Sequence, residues 1–270
     1  MDGLWHDRGT VSDHPSAGLS PEPSETHQPS TLSPDAERPP LTGRIVAFIE
    51  VLICSDFLTQ FALGGTLAAL GYRPDVQGKL SIRFVVILSV GDTLLLLGLI
   101  LVLLYAHGER PRDVLFGRRP LVAEGVFGLM LIPMAFGIAV TVLLTVQRFA
   151  PSLHTVEHNP LQDLLRSPRN AWLFALVVLV AGGVREEIQR AFLLHRFEVW
   201  LGGGTTGLLV TSVAFGAGHY GLQGVDAGIA TGLLGAFWGV VYLRRRSSVA
   251  PIVSHAGFDL LQVLPFLGLR

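Results

Sequence analysis

Apolar residues are spread unevenly along the chain. Residues 1–43 are rich in Ser, Pro, His, Asp and Glu, almost without apolar clusters, and Pro39-Pro40 falls near their end. Such a stretch cannot bury enough apolar surface to offset its ordering entropy, which predicts a disordered N-terminal tail. No apolar core follows a basic start near Met1, so the pattern is not that of a secretory signal peptide. His6, His14 and His27 are too dispersed for a metal tract and read as solvated tail residues.

From residue 44 to 270 long apolar runs alternate with short polar ones. Runs at about Ile45–Leu70, Leu80–Tyr105 and Leu121–Val146 each exceed the roughly 20 residues that cross a hydrocarbon core as a helix. A fourth starts near Ala171, and later ones cover about Thr205–Tyr220, Val225–Leu243 and Val249–Leu267. The expectation is an all-α, polytopic transmembrane helical bundle of about seven to eight spans. The later segments are richer in Gly, Ala, Ser and Thr, which let membrane helices approach closely. They read as the packed half of the protein.

Composition agrees. Half of the 270 residues are hydrophobic, only 15% are charged, and mean hydropathy is +0.51. Soluble domains carry about 25% charged residues. The formal net charge is −1, which argues against nucleic acid as a partner. The lipid bilayer is the partner that composition implies. Cys54 is the only cysteine, so no intramolecular disulfide or thiolate cluster is possible, and its apolar setting reads as a small buried hydrophobe.

Arginines suggest an orientation. Arg110, Arg112, Arg118 and Arg119 separate the second and third segments, and Arg244, Arg245 and Arg246 separate the sixth and seventh. With seven spans these loops share a side, and the positive-inside rule places that side, with the N-terminus, in the cytoplasm of a plasma-membrane protein. Glu157-His158, in the loop before the fourth segment, reads as solvated rather than as a cation site.

Chemistry-bearing residues interrupt the apolar runs. Asp56 and Asp92 break the first two, and buried acids of this kind face a partner or a cavity. The fourth segment meets Arg185-Glu186-Glu187-Ile188-Gln189-Arg190. On a helix Arg190 lies four residues from Glu186 and three from Glu187, within reach of either. The spacing suggests Glu186 as its face-mate, which would leave Glu187 freer. Phe215-x-x-x-His219 and His255-x-x-x-Asp259 each put two side chains one turn apart. Taken alone, each cluster is compatible with helix packing. Together they offer a base, imidazole donors and a further polar group, the parts needed for water activation and oxyanion stabilisation.

With these motifs in order, the stretch from about 171 to 267 resembles the CPBP family, the CAAX-protease and bacteriocin-processing membrane peptidases also called Abi. Glu186-Glu187 fits the start of the family's EExxxR motif, Phe215 to His219 fits FxxxH, and His255 to Asp259 fits HxxxN with Asp in place of Asn. Arg190 arrives one position early, with Ala191 at the family's arginine position. The resemblance implies a membrane endopeptidase, filed with metallopeptidases, that acts on peptide or lipidated-protein substrates such as CAAX-like ones. It implies catalytic roles for Glu186, His219, His255 and Asp259 and supporting roles for Glu187, Arg190 and Phe215. Glu186, His219 and His255 would be the ligands if zinc takes part. The competing readings are a non-proteolytic membrane scaffold or regulator, and a transporter or proton relay using Asp56, Asp92, Glu186 and Glu187.

Overall fold

The computed structural model describes residues 39–76, 79–156 and 160–268. Residues 1–38, with His6, His14 and His27, and the Glu157-His158 pair lie outside them. Pro40 is the last residue before helix α1 (Leu41–Ile53), so helix begins inside the expected 1–43 tail.

Helix α2 (Phe57–Ala69) follows a break of three residues and is bent 43° from α1. A short antiparallel hairpin, β1 (Asp75–Val76) and β2 (Lys79–Leu80), leads into α3 (Ile82–Ala106). Ser81 caps α3 by accepting from the Phe84 amide. A π-helical turn (Arg112–Phe116) precedes α4 (Leu121–Phe149). After a short α5 (Pro160–Asp163), Ser167 caps α6 (Pro168–Val177) with Pro168 in its first turn. A π-helical stretch (Val178–Arg185) runs straight into α7 (Glu186–Trp200). Helices α8 (Gly204–Gln223), α9 (Val225–Arg245) and α10 (Val249–Val263) complete the bundle.

The all-α bundle is as expected, but seven to eight spans are not confirmed. Among the described residues four helices, α3, α4, α9 and α10 with its short extension to Phe266, are long and apolar enough to cross a membrane, and the bent α1–α2 pair makes a fifth candidate if it counts as one span. Cys54-Ser55-Asp56 divides the first of the expected segments. The fourth carries a run of charges, and the fifth, α8, is diluted by Gly, Thr, Ser and His. Large apolar side chains point outward, including Phe61 at 84% and Val122 at 80% exposure. An outward apolar surface is the arrangement a lipid-facing helix requires.

Small residues set the packing of the C-terminal half. A Cβ on Gly216 of α8 would stand 2.5 Å from the Gly228 carbonyl oxygen of α9. One on Gly183 would stand 2.5 Å from Ala256 Cβ, so α10 lies directly on the π-helical stretch.

The two arginine-rich connections do lie together. Arg119 Nε donates to the Arg245 carbonyl, Arg245 forms a forked pair with buried Glu124, and Ser248 donates through both its amide and its hydroxyl to the Leu115 carbonyl. Gly43, near the start of α1, faces the Trp200 ring at the end of α7, so the first described residues belong to the same end. Here Arg196, fully buried, donates to Glu50 at 2.5 Å and to Glu109 at 2.6 Å, and Glu109 also accepts from His195 at 2.7 Å.

Glu109 follows α3, outside the spanning segments. Burial alone would raise its carboxyl. The hydrogen bonds and charges of His195 and Arg196 outweigh burial and bring it from 4.5 down to about 2. A depressed folded value contributes stability above the unfolded value that is lost as pH falls through the folded one. The melting temperature in detergent is therefore expected to fall between about pH 4.5 and about pH 2, with a smaller fall in Glu109→Gln. An equal acid-side loss in the variant would refute this assignment.

Candidate active site

The polar clusters of the C-terminal half converge midway along the bundle. The π-helical stretch ends at Arg185, so the two glutamates open α7 where backbone geometry changes from wide to regular. Such π insertions recur at functional sites. Glu187 turns inward and Glu186 turns toward open space.

Glu187 is 2% exposed. One of its oxygens, Oε1, accepts from Arg190 and, at 2.7 Å, from His255 Nδ1. Arg190 therefore pairs with Glu187, not with Glu186 as the one-turn spacing suggested. Both spacings put the partners on neighbouring turns, and burial decides between them. The fully enclosed carboxylate has the greater need of a cation. Glu186 lies instead beside Arg185, whose Nη2 is 3.2 Å from Oε1. The sequence reading passed over Arg185 as a partner, although it is the adjacent residue.

His255 is held on several sides. A carboxylate only accepts, so Nδ1 carries the proton in the bond to Glu187. The Trp238 indole stacks on the imidazole at 3.8 Å between centroids and 17° between planes, and its Nε1 donates to Ser254 Oγ at 3.1 Å. The ring can neither flip nor tilt without breaking these contacts. Its Nε2 is directed toward Glu186 Oε2 at 3.8 Å and Asp259 Oδ2 at 3.6 Å. These gaps exceed a direct hydrogen bond and suit a bridging water or substrate oxygen. Trp238 and Ser254 belong to none of the motifs that the sequence offers.

His219 donates from Nδ1 to the Phe215 carbonyl at 2.9 Å, because a carbonyl can only accept. This leaves Nε2 for the cavity. Phe215 sits among the parts: its ring centroid is 4.7 Å from His219, 6.1 Å from His255 and 4.7 Å beneath the Arg190 guanidinium. Asp259 fits because residue 182 is glycine, where a Cβ would stand 2.6 Å from Asp259 Oδ2.

Glu186, His219, Phe215 and Arg185 line two adjoining cavities. One, about 540 Å³, lies between the α1–α2 pair, α7 and α8, with Phe57, Leu193, Phe197 and Val210 among its walls. The other, about 490 Å³, also exposes His255, Asp259 and Trp238. Among the described residues no three His, Cys, Asp or Glu side chains converge as cation ligands. With Nδ1 bonded to Glu187 in His255 and to the Phe215 carbonyl in His219, each imidazole keeps Nε2 on the cavity side.

Residues 168–261 match the family model described as Rce1-like, type II CAAX prenyl endopeptidase Rce1-like. The match agrees with the resemblance read from the motifs and makes the segment similar to a membrane endopeptidase family. It contains Glu186, His219, His255 and Asp259. No curated protein and no solved structure matches the chain.

The two glutamates should respond differently to substitution. Glu187→Gln weakens the buried contacts to Arg190 and His255, and the cost expected from breaking a buried pair is about 3–5 kcal/mol. Glu186, partly exposed to the cavities, should tolerate Glu186→Gln with little change in melting temperature. Equal destabilisation by the two would show that both are packing residues, as a scaffold reading requires.

Proposed function

We propose that the chain is a membrane-embedded endopeptidase whose base is Glu186. The carrying observation is the division of labour between the glutamates. Glu187 is consumed by Arg190 and His255, whereas Glu186 keeps Oε2 turned toward His255 Nε2 and lines both cavities.

A water beside Glu186 Oε2 and His219 Nε2 gives its proton to Glu186 as its oxygen attacks the scissile carbonyl. The carbonyl becomes a tetrahedral oxyanion. Glu186 then delivers the proton to the leaving nitrogen and the C–N bond breaks, leaving a new carboxylic acid and an amine, between which the acid proton passes to give carboxylate and ammonium. His255, its Nδ1–H fixed on Glu187, serves the oxyanion from Nε2 as an imidazolium. Asp259 stands 3.6 Å from that same nitrogen. In this reading it partners the imidazolium, whereas an asparagine there would donate to the oxyanion itself.

The apolar walls of the cavity between the α1–α2 pair, α7 and α8 suit a peptide carrying or flanked by hydrocarbon, which agrees with membrane-associated or CAAX-like substrates. The clustering of the arginine-rich connections at one end supports a cytoplasmic placement of that end and of the start of α1, with the plasma membrane as host.

The test is cleavage of a membrane-tethered reporter peptide by purified protein in detergent or vesicles. Glu186→Ala, His219→Ala and His255→Ala should each lower kcat about 100-fold or more, as expected for loss of a group that moves or orients the proton. Asp259→Asn should retain activity and Asp259→Ala should lose it. Full activity in the Glu186→Ala, Glu187→Ala double variant would sink the proposal.

A further inference from the structure

We infer that Arg185 is a positioning residue for Glu186, itself held in place by Asp56 and Asp92; the inference rests on the reading of Glu186 as the base. Arg185 is 5% exposed and meets three carboxylates from three elements. Its Nη1 donates to Asp92 Oδ2 of α3 at 2.5 Å. Its Nη2 lies 3.2 Å from Asp56 Oδ2 at the α1–α2 break and 3.2 Å from Glu186 Oε1. The bent pair and α3 thus reach the reacting carboxylate through a single guanidinium.

Asp56 shows that this contact is built at a cost. It adopts φ +74°, a conformation uncommon for a residue with a side chain and associated with sites that the surroundings over-determine. The distortion breaks the helix between α1 and α2 and exposes the Cys54 carbonyl, which accepts from Gln189 of α7 at 2.7 Å. Gln60, one turn into α2, donates to Asp56 Oδ2 at 2.7 Å, steadying the oxygen that faces Arg185. An acid serving only as a helix cap would accept from the backbone of α2, and Asp56 makes no such side-chain bond.

The charges are arranged to hold Glu186 without consuming it. Among the described residues, Glu187 is the only carboxylate paired with Arg190, and the two are enclosed together. Arg185 divides one positive charge among Asp56, Asp92 and Glu186. A planar guanidinium can bind several oxygens at fixed angles, which a lysine ammonium does less well. Glu186 Oε1 is thereby pinned while Oε2 stays directed at the His255 Nε2 side of the cavity. Loss of the clamp frees the carboxylate to rotate, and the cost appears in the chemical step rather than in substrate binding.

The experiment uses the full chain in detergent with the same tethered reporter, measuring kcat, KM and melting temperature for each variant. Arg185→Gln alone strands Asp92, so it is combined with Asp92→Asn, which removes one charge of each sign. The double variant is expected to fold, with kcat reduced about 100-fold and KM little changed, the signature of a misplaced reacting group. Arg185→Lys should recover part of the lost kcat, because it restores the charge without the fork. Asp56→Asn keeps the Arg185–Asp92 pair and should lower kcat at unchanged KM in a folded protein. Parental kcat in folded Asp56→Asn, or losses that follow only the melting temperature, would overturn the assignment. Glu186→Gln is run alongside. If it is inactive while the Arg185 and Asp56 variants are fully active, positioning fails and the base reading stands. If it cleaves at the parental rate, the base reading falls and the positioning role with it.

Discussion

A charge carried into an apolar interior is costly unless a partner of opposite sign meets it there, and this constraint organises the bundle. Arg185 ties the α1–α2 break and α3 to the start of α7. Arg190 and His255 close around Glu187, joining α7 to α10. Arg196 gathers Glu50 and Glu109 at the arginine-rich end. Helix packing through hydrophobic contact alone is weakly directional in lipid, because the lipid is as apolar as the side chains. The ion pairs supply direction, and close-approach glycines such as Gly183 and Gly216 let the helices come near enough to make them.

Those pairs explain which parts were legible in the sequence. The all-α membrane class follows from composition and run length, and the structure keeps it. The spacings Phe215 to His219 and His255 to Asp259 are local, one helical turn each, so a linear reading recovers them. Partner choice is not local. Nothing in the spacing of Glu186, Glu187 and Arg190 says which carboxylate is enclosed, and enclosure determines the pairing. Asp56 and Asp92 were recognisable as buried acids seeking a partner, yet their shared partner stands 129 and 93 positions further along the chain. Trp238 carried no signal at all, since an aromatic residue in an apolar helix is ordinary until a ring is found stacked on it.

The expected span count is not confirmed for a related reason. Run length treats 45–70 as one helix, but Asp56 must reach Arg185, and the chain bends 43° where it does so. The fourth run likewise looked like a span interrupted by charges. It is a continuous rod through the site, from Pro168 to Trp200, whose π-helical middle and glycine pair admit α10. What weakens these segments as membrane spans is what furnishes the site.

The doubled glutamate gains its meaning from this arrangement. One carboxylate cannot both lock an imidazole in place and remain open to a water molecule. The first task wants full enclosure and a dedicated cation; the second wants an exposed oxygen and a cation it does not monopolise. Adjacent positions on a helix diverge by about 100°, so neighbouring residues can enter these two environments without a change of backbone. Glu187 faces Arg190 and His255, while Glu186 faces the cavities and a guanidinium shared with Asp56 and Asp92. The pair Glu186-Glu187 therefore reads as two unlike parts of one device, set next to each other because the helix sends neighbours in different directions.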